Sequence, residues 1–259
     1  MDIKILVAAH KEFPMPTEKS LYLPVLVGAT KNYKTGIKYQ RDDEGKNISQ
    51  KNPNYNELTA VYWAWKNLEA DAIGLVHYRR LFNKSRKRDL NGVLNKDNIE
   101  SLLNEAPIVL PKRRNYYIET NYSHYVHAHH EEPLNETRKI IAEKHPTYLN
   151  AFDNVMNRRS AHMFNMFIMK KSKFDQYASW LFDILFELEK RIDTTNYSVQ
   201  EARVYGYISE LLMDVWIETT GAKFIEQSYF QIGKKHMAKK LYFFLKRKFS
   251  SSSTDVTHF

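Results

Sequence analysis

Four clusters of side chains in this sequence have the types and spacing to do chemistry. The first is His77-Tyr78-Arg79-Arg80, which follows directly on the apolar run Ala72-Ile73-Gly74-Leu75-Val76. Guanidinium groups stay charged and grip phosphate or carboxylate oxygens two at a time. The carboxyl ends of strands in open α/β sheets are where ligands bind. The second is Ala8-Ala9-His10-Lys11, at the end of another apolar run. Small residues there let a ligand approach the backbone, and Lys11 is placed to meet a phosphate; the plainer reading is a strand running into a surface loop. The third is Glu210, beside the apolar face of a helical pattern. A carboxylate there is either a paired core residue or a general base with a raised pKa. The fourth is the stretch 112–133, crowded with Tyr and His, in which His127, His129 and His130 precede Glu131 and Glu132. These are metal-ligand types, but the HExxH spacing is absent. A mobile loop lined with aromatic and polar groups suits a sugar or nucleotide better, and the plainer reading is a Tyr-rich surface loop.

The elements that must position these residues are legible as patterns. Ile3–Ala9 and Ala72–Val76 read as buried strands of an α/β sheet, apolar on both faces. Leu58, Val61, Trp65 and Leu68 recur at helical spacing, with Asn56 as the expected cap and Glu57 in the first turn, where a negative charge suits the dipole. Residues 12–56 are broken by Pro14, Pro16, Pro24 and Pro53, with a short strand expected within 21–29. Asp42-Asp43-Glu44-Gly45-Lys46-Asn47 lacks the alternation and distal Glu of a calcium loop, which leaves a solvated acidic turn. Residues 83–98 read as a charged surface loop. Short elements follow at 99–103 (helix) and 108–111 (strand), and a helix begins at Pro133. Ser160–Met169 reads as a polar loop carrying His162 and Asn165 into a strand. Two amphipathic helices are expected over 174–192 and 201–216, then a last strand over 223–232.

The chain has 259 residues, 43% apolar and 27% charged, with 17 Tyr and 14 Phe and no Cys. That composition is globular rather than disordered. It excludes disulfides and zinc–thiolate sites and fits a reducing compartment. No apolar run approaches the length of a membrane span, and the N-terminus reads as a first strand rather than a signal peptide. The net charge of +9 favours anionic partners. Much of it lies in 234–249, where Met237, Leu241, Phe244, Leu245 and Phe249 fall largely on one helical face. Such a basic amphipathic helix reads as a membrane-surface element drawn to acidic lipid; the plainer reading is a helix docked on the body. The tail 250–259 reads as disordered.

The N-terminal strand ending in AAHK, Gly45-Lys46-Asn47-Ile48-Ser49, NELTAVYWAWKN, IGLVHYRRLF, HMFNMFIM and RVYGYISELL together resemble the bacterial family catalogued as domain of unknown function 4422. That family is found among capsular and exopolysaccharide glycosyltransferases. The likeness runs from about residue 3 to 217, with Lys46 where an Asp is usual and Asn56 where Cys is common. The resemblance implies one α/β domain over 1–232 with a GT-A-like nucleotide-sugar fold, a mixed central sheet flanked by helices. It implies transfer of galactose or galactofuranose from a UDP-sugar to a lipid-linked glycan. The sequence has no Asp-x-Asp motif, so no cofactor is expected to be required, although the resemblance leaves room for manganese or magnesium. Arg79 and Arg80 are then expected to neutralise the leaving diphosphate in place of a metal. His10 and Lys11 would flank the nucleotide, with Asn47, Ser49, His77 and Asn165 in the donor site. Glu57 and Tyr62 are either donor-site or merely helix residues. Glu210 is the first choice for the base, with His162 and Glu131 as rivals, and 112–133 would be an acceptor-side lid. The basic helix would hold the enzyme on the inner face of the plasma membrane, on the cytoplasmic side, where a lipid-diphosphate-linked oligosaccharide acceptor resides. The rivals are a non-catalytic sugar-binding protein and a nucleic-acid-binding protein; no nucleic-acid motif supports the second.

Overall fold

Alternation along two apolar strands builds the core. In the computed structural model, which describes residues 1–84 and 89–232, Ile3–Ala9 (β1) turns Leu6 and Ala8 to one face of a sheet and Ile3, Ile5 and Val7 to the other. Strands Tyr22–Leu26 (β2) and Gln40–Arg41 (β3) extend the sheet on one side of β1. On the other side lie Ala72–His77 (β4), Phe167–Lys170 (β9), Ile108–Pro111 (β6) and Ile225–Gln227 (β10), in that spatial order. β1, β2, β3 and β4 are parallel to one another, β9 runs antiparallel between β4 and β6, and β10 is parallel to β6. The sheet is therefore mixed. Arg80–Phe82 (β5) folds back on β4 through the pair His77–Arg80, and Tyr229–Gln231 (β11) pairs with β5. Arg114–Asn115 (β7) and Ser160–Ala161 (β8) form a small separate ribbon.

Helices cover both faces. One face carries Asn52–Tyr55 (α2), Leu58–Asn67 (α3), Glu132–Lys144 (α6), Leu149–Asn157 (α7), Lys171–Arg191 (α8) and Val204–Thr220 (α9), whose Leu58, Ile140, Val155, Leu181 and Leu212 share one core with Leu6, Ile73 and Leu75. The other face packs Lys96–Glu105 (α4), through Ile99 and Leu103, with Phe82 and Phe230 onto Ile5, Val7 and Val76. Gly74 sits at the centre because a Cβ there would lie 2.6 Å from Ile5 Cδ1 and 3.0 Å from the Phe167 carbonyl oxygen. Ala29–Asn32 (α1) and Asn121–Val126 (α5) are short connecting helices.

Several local expectations are corrected. Asn56 does not cap α3; it stands at φ 51° before Glu57, and its Oδ1 accepts from Arg203 Nε at 2.8 Å. The acidic turn is not solvated throughout. Asp42 is fully buried and accepts from the Gly28 and Ala29 N–H groups (2.7 and 2.9 Å) and from the Ser49 and Thr59 hydroxyls (both 2.5 Å). Four donors satisfy a charge that would otherwise be costly in the interior. The stretch 112–133 contains a helix, α5, fixed by the reciprocal Thr120–Ser123 capping box and by buried Tyr116 and Tyr125. The final strand divides into β10 and β11, and α7 fills a span to which the sequence analysis assigned no element. Residues 85–88 of the expected charged loop, and the expected basic helix and tail within 233–259, lie outside the described residues.

Candidate functional site

The carboxyl ends of β1 and β4 open onto the start of α9, and there the polar residues gather. A turn before β9 places two consecutive residues in the left-handed region, Phe164 (φ 76°) and Asn165 (φ 53°). Such backbone is costly for residues with side chains and persists where surrounding bonds hold it. Here the Asn165 amide donates to Glu57 Oε1 at 2.7 Å and to the Gly206 carbonyl at 3.1 Å, while its Oδ1 accepts from Ser209 Oγ at 2.7 Å. One buried amide thus ties α3 to α9 across the sheet edge. His77 Nε2 donates to the Phe164 carbonyl at 2.6 Å, which fixes its tautomer and leaves Nδ1 as an acceptor while the ring is neutral. Burial pushes the His77 pKa down, with Arg80 and Arg203 adding to the effect and Glu57 and the Phe164 carbonyl opposing it.

Glu210, one turn beyond Gly206 on α9, sits deep in this cleft yet keeps part of its surface open. Burial raises its carboxyl to about 7, and the nearby Glu57 charge adds to the rise; the Phe164 N–H, Arg80 and Arg114 pull the other way. The Arg80 guanidinium lies 4.3 Å from the centre of the Phe164 ring and feels Glu210, Tyr229 and Glu57. The inner cleft therefore holds two carboxylates framed by Arg80, Arg114 and Arg203. A carboxyl that titrates near neutrality exchanges protons readily at physiological pH.

A second, more exposed group forms the rim. Phe13 stacks on Tyr78 with centroids 3.6 Å apart, and His10 meets both rings edge-on at 5.4 and 5.5 Å. Lys11 Nζ lies 5.4 Å from the Phe13 centroid and the Arg79 guanidinium 5.0 Å from that of Tyr78. Burial, then Lys11 and Arg79, hold the His10 pKa low, so its ring is neutral near pH 7. Arg79 and Arg80, adjacent in sequence, thus serve different groups: Arg79 the rim and Arg80 the inner cleft.

The remaining predicted residues are placed elsewhere or are already engaged. Ser49 is buried and donates its hydroxyl to Asp42, which corrects its assignment to a donor site. Asn47 bonds within its own turn, to the carbonyls of Asp43 and Gly45. Tyr62 packs edge-on against Phe182 and Phe186 of α8, in the helical layer. His162 belongs to a different cluster: its Nδ1 lies 2.5 Å from Asp214 Oδ1 and its Nε2 3.1 Å from Glu226 Oε1, with Arg113 beside both acids. Enclosed between two acids, with its side chain 1% exposed, it bridges β8, α9 and β10 rather than facing a substrate. Glu131 is exposed at the start of α6, bonded to Tyr122 and Asn135, and those bonds keep its pKa low, so it is a poor proton acceptor. His127 and His124 turn their Nδ1 atoms to Glu119, at 2.9 and 2.6 Å. Among the described residues no three His, Asp or Glu side chains gather as a metal-ligand group.

Arg203 and Arg114 are the cleft residues that the sequence analysis missed. Arg203, Tyr207 and Glu210 stand at i, i+4 and i+7, a polar stripe on a helix whose opposite side is apolar, and that spacing was available in the sequence. Arg114 carries no such signal, because an isolated two-residue strand brings it in.

A family description, "Domain of unknown function (DUF4422)", matches residues 4–221. Among solved structures, the apo form of the WbbM bifunctional glycosyltransferase superposes with a TM-score of 0.80 at 32% sequence identity, over 90% of this chain. The chain spans 46% of the length of that protein. No curated protein matches.

Proposed function

The chain belongs to the DUF4422 family, and from that premise and the cleft geometry we propose that it is a glycosyltransferase acting on a nucleotide sugar. One observation carries the reading. Glu210, partly exposed, has its carboxyl raised to about 7 by burial and lies within the field of Arg80 at the carboxyl edge of a mixed α/β sheet. The solved relative of similar fold, itself a glycosyltransferase, supports the same class.

Transfer requires the acceptor hydroxyl to lose a proton as its oxygen bonds to the sugar, while the bond from sugar to diphosphate breaks and the diphosphate leaves with its negative charge. Glu210 in its ionised form takes that proton. Arg80, with Arg114 and Arg203 nearby, stabilises the charge that develops on the diphosphate, as fixed cationic donors do. His10, Lys11 and Arg79, with the Phe13–Tyr78 stack, form the nucleotide rim. His77 and Asn165 hold the turn and Glu57 in place. The cleft carboxylates do not fit a divalent-ion site: Glu57 is bonded to Asn165 and Glu210 is set among arginines, so the diphosphate is handled by guanidinium groups instead.

The donor is a UDP-sugar, galactose or galactofuranose being the sugar moved, and the acceptor is a lipid-diphosphate-linked glycan of a bacterial surface polysaccharide. In this reading the basic segment 234–249 holds the enzyme on acidic lipid at the cytoplasmic face of the membrane, with α5 and its flanks beside the acceptor. The test is thermal stabilisation by UDP and UDP-galactose, with and without manganese. Nucleotide at about a hundred times its Kd stabilises by about 2.7 kcal/mol, a rise of roughly 5–10 °C for a domain of this size. A rise without metal supports both the transferase and the arginine clamp. A rise only with manganese keeps the transferase and refutes the clamp. No rise with any uridine nucleotide refutes the proposed donor.

A further inference from the structure

A groove of about 680 Å³ opens at the far end of α9 from the cleft, between that helix, the 3-10 turn Pro146–Tyr148 and the first half of α8. Thr220, on its wall, lies ten residues beyond Glu210 on the same helix, about 15 Å along the axis. β9 delivers α8 to this side because it runs antiparallel to β4: Lys170, the residue before α8, pairs with Ala72 at the beginning of β4. The groove therefore cannot be part of the cleft at the strands' carboxyl ends.

Its walls pair aromatic rings with polar groups, among them Gln176, whose Oε1 accepts from Lys173 Nζ at 3.3 Å. Tyr148, partly exposed, stacks on Trp180 with centroids 4.8 Å apart and planes inclined by 26°. Trp180 is 7% exposed, and its indole N–H has no acceptor among the described residues. Gln176 and Ser179 are exposed on the same side of α8, at the i and i+3 spacing that puts side chains next to one another. The Thr220 hydroxyl donates to the Trp216 carbonyl and keeps its acceptor capacity. Charge is largely cancelled at this site: Lys171 holds Asp175, while Lys144 and His145 hold Asp183. A neutral ligand with an apolar face for the ring and many hydroxyls for the amide, hydroxyls and carboxylates is a carbohydrate. An anionic ligand would find Lys144, Lys171 and His145 already held by acids, and a purely apolar one would leave the polar wall unpaired.

We infer that this groove is a second, non-catalytic binding site for a neutral glycan segment, remote from the transfer cleft. It would hold a polymer by sugar units other than those that react, raising the local concentration of its end. The inference does not depend on the proposed transfer reaction, since it concerns binding alone.

The experiment is saturation-transfer NMR and calorimetry on the full chain with three neutral probes, maltotetraose, cellotetraose and a β-linked galactotetraose, in the presence of saturating UDP. The expected result is binding of at least one probe, weakened about tenfold or more by Tyr148→Ala, which corresponds to about 1.4 kcal/mol. Because Tyr148 is partly buried, Ser179→Arg is the second variant; it fills the groove from an exposed position and must also abolish binding while the melting temperature stays within a degree or so. Nucleotide-induced stabilisation is expected to be unchanged in Ser179→Arg, which separates failure of the groove from failure of the cleft. Absence of binding to all three probes overturns the inference. So does binding that Ser179→Arg leaves intact.

Discussion

Replacing Glu210 with Gln tests the energetics of the cleft and its chemistry at once. Burial raises the carboxyl from an ordinary 4.5 to about 7, so between those values the unfolded chain has lost a proton that the folded chain keeps. Folding stability must then fall as pH climbs from about 4.5 to 7 and level off above, by roughly 3 kcal/mol if the whole rise comes from folding. Gln is neutral at every pH and still offers an oxygen to the Phe164 N–H. The variant should match the wild type at pH 5 and exceed it at pH 8 by about 2–3 kcal/mol, a gain in melting temperature of about 4–12 °C. Turnover should fall by about 10²–10⁴-fold, the usual contribution of a positioned base, while UDP affinity changes little. In the wild type, kcat/KM should rise with pH through a limb near 7, and the variant should lack that limb. Paired thermal melts at pH 5 and 8, with a radiolabelled-donor transfer assay, supply the readouts. A stability difference that does not grow with pH would refute the buried-carboxyl argument, and near-normal turnover would refute its role as the base. A variant stabler and inactive is the signature of a group kept charged for function at the expense of folding.

Arg80→Gln removes a cation that holds the Glu210 pKa down, so the acid limb of the wild-type rate profile should move to higher pH in the variant, with weaker UDP binding in calorimetry; an unmoved limb would place Arg80 outside the cleft's electrostatics. Asp42→Asn presents an amide N–H₂ to some of the four donors that Asp42 now accepts, and should cost about 3 kcal/mol in urea denaturation without changing activity per folded molecule. Gly74→Ala forces a methyl against Ile5 and the Phe167 carbonyl at the centre of the sheet, and should cost about 1–3 kcal/mol by the same measurement.

Sequence periodicity carried much of the architecture. β1 and β4 were legible because a strand covered on both faces is apolar throughout, and α3, α8 and α9 because a helix covered on one face repeats at three and four residues. These are local rules, and they needed no partner. They also located the loop ends bearing His10, His77, Arg79 and Arg80, since a strand must stop where its apolar run stops. The stretch 112–133 was misread because its α5 is held by one capping box and two buried tyrosines, with too few apolar positions to show a period.

What the sequence determined by itself was therefore the set of strands and long helices and the identity of the residues at their ends. What only the tertiary structure decided was the partner of each side chain. Asp42, in an acidic turn, and Glu210, beside the apolar face of a helix, are both acids whose sequence neighbours do not fix their partners. Asp42 meets four hydrogen-bond donors and anchors its turn, whereas Glu210 meets burial and a second carboxylate, which raise its carboxyl to about 7. His162 is drawn into an ion-pair cluster by Asp214 and Glu226, both more than fifty residues away. Arg79 and Arg80 are separated by the turn from β4 into β5, which sends one to the rim and the other to the cleft. The physical reason is range: backbone conformation answers to neighbours within a few residues, while desolvation and Coulomb interactions answer to whatever the fold brings within several ångströms.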